Sequence, residues 1–76
     1  MKNSKTTPKW QLGIVRWFDD KSGEGIIKSA LGESIYVHYS AIETNKKWKS
    51  LKENKQVKFQ VVDDVTFTQV SKVKEL

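Results

Sequence analysis

Ile35-Tyr36-Val37-His38-Tyr39, followed at once by Ser40-Ala41-Ile42, is the stretch on which the reading of the fold turns. In an extended strand successive side chains point to opposite faces, so Ile35 and Val37 share one face while Tyr36 and His38 share the other. One face suits a core. The other, with Tyr39 at the strand end, suits a surface on which flat, polar rings stack. A half-buried strand whose Tyr and His merely cover a sheet shows the same alternation, so this stretch alone leaves both readings open.

Upstream, Leu12 to Phe18 is rich in β-branched and aromatic residues and reads as a first strand, closed by the turn formers Asp19, Asp20, Lys21 and Ser22. Gly23 to Ser29 resumes a strand in which Gly23, Gly25 and Ile27 face one way and Glu24, Ile26 and Lys28 the other. Glycines within a strand fit the bends and close backbone approach of a tightly curled barrel. Ala30 to Ser34, with Gly32, makes the next turn, so the first three strands form a meander. Downstream, Ser40 to Ile42 allows a short helical turn. Glu43 to Lys55 loses all periodicity and carries Lys46, Lys47, Lys49, Lys52 and Lys55 around Trp48, which marks a long basic loop. Val57, Phe59 and Val61 alternate with Lys58 and Gln60 in a fourth strand, Asp63 and Asp64 make a turn, and Thr66 to Val73 is the fifth. Five short strands without a convincing helix or an internal repeat predict an all-β, five-stranded antiparallel barrel.

The composition sets bounds on function. Seventy-six residues make one small domain, which buries only about 60% of the surface its unfolded chain exposes. With no cysteine and one histidine, neither a disulfide framework nor a metal cluster is expected, and no cofactor is predicted. No apolar run approaches the roughly 20 residues of a membrane span, and Met1 to Lys9 contains no apolar segment of signal-peptide type. The expectation is a cytoplasmic protein with no membrane partner and no small-molecule substrate. Residues 1–9, with Lys2, Lys5 and Lys9, read as a flexible basic tail ahead of a domain at 10–76, which Trp10 begins. Fourteen Lys and Arg against nine Asp and Glu give a net charge of +5 and a pI near 9.6, which favours phosphate-bearing partners.

Taken together, Gly13-Ile14-Val15-Arg16-Trp17-Phe18, then Gly23 and Gly25, then Ile35 to Ile42, then Trp48-Lys49-Ser50-Leu51 and Val57-Lys58-Phe59, resemble the bacterial cold-shock domain. The resemblance runs from about Leu12 to Leu76, with the motifs in the same order and at closely matching spacings. It implies an OB-type barrel that binds single-stranded RNA or DNA without catalysis, as RNA chaperones and regulators of transcription or translation do. By position it also implies a nucleic-acid-binding set of Arg16, Trp17, Phe18, Ile26, Tyr36, His38, Tyr39, Lys47, Trp48 and Lys49. A monomer is expected, with a strand-swapped dimer as the alternative.

The sequence departs from the family pattern at the first binding motif. Where the family carries Lys-Gly-Phe-Gly-Phe-Ile, this chain has Ser22-Gly23-Glu24-Gly25-Ile26-Ile27, so two rings and a lysine are missing. The approach to the last strand differs too, with Val65 to Val70 in place of a Gly-Pro and Ala-rich segment. Stacking a base on a ring contributes about 1 to 3 kcal/mol, so two lost rings weaken binding by about 2 to 6 kcal/mol relative to a full platform. A carboxylate on a binding face also repels phosphate, within the limits of screening. Two other functions compete. The barrel could serve a protein partner, as the loss of rings at 24 and 26 suggests. Catalysis would need His38 to work with a carboxylate in a pocket, and Glu24 on the neighbouring strand is the one candidate.

Overall fold

The computed structural model of the protein describes residues 5–6, 9–45, 47–63 and 68–76. Among the described residues six strands follow one another: β1 (Lys5–Thr6), β2 (Gln11–Asp19), β3 (Glu24–Ser29), β4 (Ser34–His38), β5 (Gln56–Asp63) and β6 (Thr68–Glu75). A 3₁₀ turn, Tyr39–Ala41, follows β4. β2, β3 and β4 form the expected antiparallel meander, and β2 also pairs with β5. β6 closes the barrel, running antiparallel along β5 and meeting β4 in parallel at Tyr36 and Gln69. The result is a closed five-stranded barrel to which β1 adds a short flank.

Alternation in the sequence explains the core. Val15, Ile27, Ile35, Val37, Val57, Phe59, Val61, Val70 and Val73 point inward, with Ala41, Ile42 and Leu51 plugging the barrel from the turn and the long loop. Phe59 is the largest of the fully buried side chains, in an otherwise aliphatic interior.

Two irregularities change what the strands present. Between Val15 and Trp17 the β2–β3 register slips by one residue, leaving Arg16 unpaired in that ladder. A bulge of this kind lets two consecutive side chains face outward. Arg16 and Trp17 are therefore both exposed, and the parity beyond them is reversed, so Phe18 turns inward against the core. A second slip, opposite Gln60 and Val61, separates Lys72 from Val70 and keeps Val70 and Val73 both inside.

The ends of several elements differ from the sequence expectations. Asp63, expected in a turn, instead continues β5 and pairs with Lys5 on one side and Thr68 on the other. Backbone pairing over three strands outweighs the turn preference of an aspartate. Lys5 and Thr6, from the segment read as a tail, extend the β5 edge beyond the reach of β2. The rest of that segment up to Pro8 lies outside the described residues, as do Lys46 and residues 64–67. The Trp10 ring lies 5.0 Å from the Lys58 ammonium and 5.8 Å from that of Lys74. Among the described residues no helix is long and apolar enough to cross a membrane.

Candidate nucleic-acid interface

Because β2, β3 and β4 pair in register, their outward side chains fall into rows across the barrel. The central row is Trp17, Ile26 and Tyr36. On one side of it lies the row Asp19, Glu24 and His38, and on the other Ile14, Lys28 and Ser34. Directly opposed residues on one sheet face stand close enough for their side chains to touch. One continuous patch thus collects Trp17, Ile26, Tyr36 and His38, four positions separated by up to 21 residues in the sequence.

Close packing explains Gly25 in β3 and Gly23 in the turn before it. A Cβ on Gly25 would lie 2.4 Å from the Trp17 carbonyl oxygen and 2.8 Å from the Phe18 ring, so only glycine lets β2 cross at this distance. Gly23 has φ +73°, and a Cβ there would come 2.4 Å from the Tyr39 ring. Its carbonyl also accepts the Tyr39 backbone N–H at 2.8 Å. Gly23 therefore seats Tyr39 at the end of the patch.

Tyr39 and His38 have ring centroids 4.4 Å apart, tilted by 34°. His38 is fixed by its neighbour: Nδ1 accepts the Ser40 backbone N–H at 3.3 Å and lies 2.9 Å from the Ser40 hydroxyl. Accepting at Nδ1 leaves Nε2 as the protonated nitrogen of the neutral ring. Beyond Tyr39, the long loop brings Lys47, Trp48 and Lys49 around a shallow groove of about 320 Å³ that also touches Asp20 and Gly23. The Ser50 hydroxyl donates to the Asp20 carboxylate and ties this loop to the β2–β3 turn. Trp48 is 72% exposed, so it does not serve to fold the loop onto the barrel.

The electrostatics of the patch are uneven. Arg16 and Lys28 stand at one end, lining a neighbouring hollow with Leu12 and Ile14, and the loop lysines stand at the other. Between them, Glu24 and Asp19 place two exposed carboxylates side by side. The Tyr36 hydroxyl donates to Glu24 Oε1 at 3.0 Å. Partial desolvation of Tyr36, then this hydrogen bond, then the Glu24 charge all push the phenol above its ordinary pKa. A raised phenol favours the folded state below the unfolded tyrosine value near pH 10, and this contribution fades as pH rises through the folded value. Ultraviolet titration of the phenolates should show Tyr36 ionising above the ordinary range, and Glu24→Gln should bring it back toward about pH 10. Ionisation at the ordinary value in the unaltered protein would show that the Tyr36–Glu24 bond does not persist in solution.

Of the residues singled out in the sequence, Trp17, Ile26, Tyr36 and His38 share the sheet face, Tyr39, Lys47, Trp48 and Lys49 share the groove, and Arg16 sits at the opposite end. Phe18 is the exception, half-buried against the core because of the bulge. Lys28 was absent from that set. Its signal was the strand parity that places it two residues beyond Ile26 on the same face. No group of three or more metal-ligating side chains occurs among the described residues.

Residues 11–75 match the family described as the 'Cold-shock' DNA-binding domain. The chain belongs to the cold-shock domain family. It is 38% identical over 66 residues to the cold shock-like protein CspLB of Listeria monocytogenes, which covers 87% of this chain and 98% of that protein. It is equally identical, with the same coverage, to the cold shock protein CspD of Bacillus subtilis. A cold shock-like protein of Thermotoga maritima is 40% identical over 62 residues, covering 82% of this chain and 92% of its own length. The structure of apo-CusF residues 6–88 from Escherichia coli superposes with a TM-score of 0.62 over 100% of this cold-shock chain and 95% of that one. At 17% identity that likeness speaks for the OB-type barrel alone. Nucleic-acid binding of the cold-shock type is the activity of the family.

Proposed function

We propose that this cold-shock protein binds single-stranded RNA or DNA without catalysis, stacking bases on the outward face of β2–β4 and holding phosphates with the flanking cations. The observation that carries this reading is the in-register row of Trp17, Ile26 and Tyr36, continued by His38, Tyr39 and Trp48. A sheet face with exposed rings and cations at both ends has the parts of a single-strand platform. Arg16, Lys28, Lys47 and Lys49 supply a sequence-independent attraction to phosphate that falls with salt. Phe18 supports the bulge that exposes Trp17. Binding is weaker than on a full platform because Ile26 packs against a base without a ring quadrupole and Glu24 repels phosphate. In this reading the protein works as a cytoplasmic RNA chaperone or regulator of transcription or translation. The binding domain in this reading is 10–76, flanked by the pairing of Lys5 and Thr6 with β5.

Tryptophan fluorescence tests the proposal. Adding a short pyrimidine-rich oligonucleotide at low salt should quench Trp17 and Trp48, and the apparent affinity should fall as salt rises. Tyr36→Ala should weaken binding by about 1 to 3 kcal/mol, the contribution of one stacked base. Absence of quenching at high micromolar oligonucleotide would reject nucleic-acid binding. It would favour the second reading, a barrel adapted to a protein partner, for which the adjacent carboxylates of Asp19 and Glu24 are the supporting observation.

A further inference from the structure

The sheet face carries an acceptor-only group, Glu24, beside the rings of Tyr36 and His38. Glu24 lies between Asp19 and His38 in one row and reaches diagonally to Tyr36 in the next. The Tyr36 hydroxyl holds Oε1 at 3.0 Å and so orients the carboxylate along the sheet face. Among the described residues no Lys or Arg pairs with Glu24, and Tyr36 is its one hydrogen-bonding partner. The carboxylate thus remains a charged acceptor with lone pairs to spare, within reach of the rings of Tyr36 and His38. It can accept hydrogen bonds from a base and can donate none.

Bases differ sharply in what they show such a group. Cytosine presents its N4 amino donor where uracil and thymine present the O4 acceptor, and carboxylates characteristically accept from cytosine N4. Adenine and guanine also carry exocyclic amino groups. Uracil and thymine keep an N3–H donor, but a carboxylate facing their O4 sets two acceptors against each other, with no proton between them. We propose that Glu24 makes this platform discriminate by base, favouring those with an exocyclic amino group, cytosine above all for stacked pyrimidines, and disfavouring uracil and thymine. This inference rests on the proposed binding face. It makes Glu24 a specificity determinant as well as the replacement for a lost ring.

The test compares oligo(dC) with oligo(dU) of equal length at neutral pH. The two share the sugar, the phosphates and nearly the same stacking area. The unaltered protein should bind oligo(dC) more tightly by about fivefold or more, on the scale of one solvent-exposed, charge-assisted hydrogen bond. Glu24→Gln removes a negative charge and will tighten binding to both oligonucleotides, so the readout is the ratio of the two Kd values. That ratio should collapse toward one, chiefly through improved oligo(dU) binding, because an amide can donate to O4. In the unaltered protein, raising salt should weaken both complexes and leave the ratio in place, since the phosphates are the same. Equal affinities, or a preference for oligo(dU), would overturn this inference and leave the proposed function standing. A cytosine preference that survives in Glu24→Gln would also overturn it. Failure of both oligonucleotides to bind would reject the binding face and the inference together.

Discussion

Replacing Glu24 and Ile26 together with phenylalanine is expected to tighten single-strand binding by about 2 to 6 kcal/mol, the stacking contribution of two rings. At roughly 1.4 kcal/mol per decade, that is about one to four orders of magnitude in Kd. Both positions face outward, Glu24 exposed and Ile26 half-buried between Trp17 and Tyr36, so larger rings extend into solvent and leave the core untouched. The substitution also removes the carboxylate from the middle of the patch. The upper end of the range requires both new rings to engage bases at once. Glu24→Phe alone should account for part of the gain, and fluorescence titration of the three forms would measure it. Unchanged affinity in the double variant would mean that bases do not pass over this face.

Phe59→Ala is expected to remove a large share of the total stability and to lower the melting temperature by well over ten degrees. Phe59 is fully buried and is the largest side chain of the interior, and truncation of such a ring costs about 3 to 5 kcal/mol. A domain of this size has roughly 4 to 11 kcal/mol of total stability at about 0.05 to 0.15 kcal/mol per residue. The surroundings have little freedom to collapse into the void, because the backbone at Gly13 already packs so closely that a Cβ there would sit 2.8 Å from the Phe59 ring. Thermal unfolding followed by near-ultraviolet circular dichroism would register the loss. A cooperative melt within a few degrees of the unaltered protein would contradict this account of the core.

Much of the architecture was legible because the period-2 pattern is strong where one face is buried. Val57, Phe59 and Val61 mark β5, and Ile35 and Val37 mark β4, without help from context. What the sequence left unread depends on register and on non-local pairing. Nothing in Val15-Arg16-Trp17-Phe18 announces a bulge, yet the bulge decides that Arg16 and Trp17 face the same way and that Phe18 turns in. Asp63 has turn chemistry, but its two strand partners override it. The same holds within the site. Strand parity put Glu24, Ile26 and Lys28 on one face from sequence alone. The hydrogen bond between Tyr36 and Glu24 spans 12 residues and follows only from how β3 and β4 align. Lys28 belongs to no aromatic motif, and only strand parity places it beside Ile26 on the outer face.

Most of the residues that the resemblance singles out fall on one connected surface, and that surface carries charges the motifs do not describe. Family motifs point to rings. The structure adds a charge pattern of cations at both ends and carboxylates between, which a motif comparison does not express. On the proposed binding face, affinity is accordingly expected to lean on phosphate contacts more than on stacking, and base preference on Glu24.

Backbone amide chemical-shift mapping with a short single-stranded oligonucleotide tests the central claim most directly. The account predicts perturbations concentrated at Arg16, Trp17, Ile26, Lys28, Tyr36, His38, Tyr39, Lys47, Trp48 and Lys49, with Trp10 and Leu31 unmoved. Shifts concentrated instead around Trp10, Lys58 and Lys74, or no shifts at saturating oligonucleotide, would contradict it.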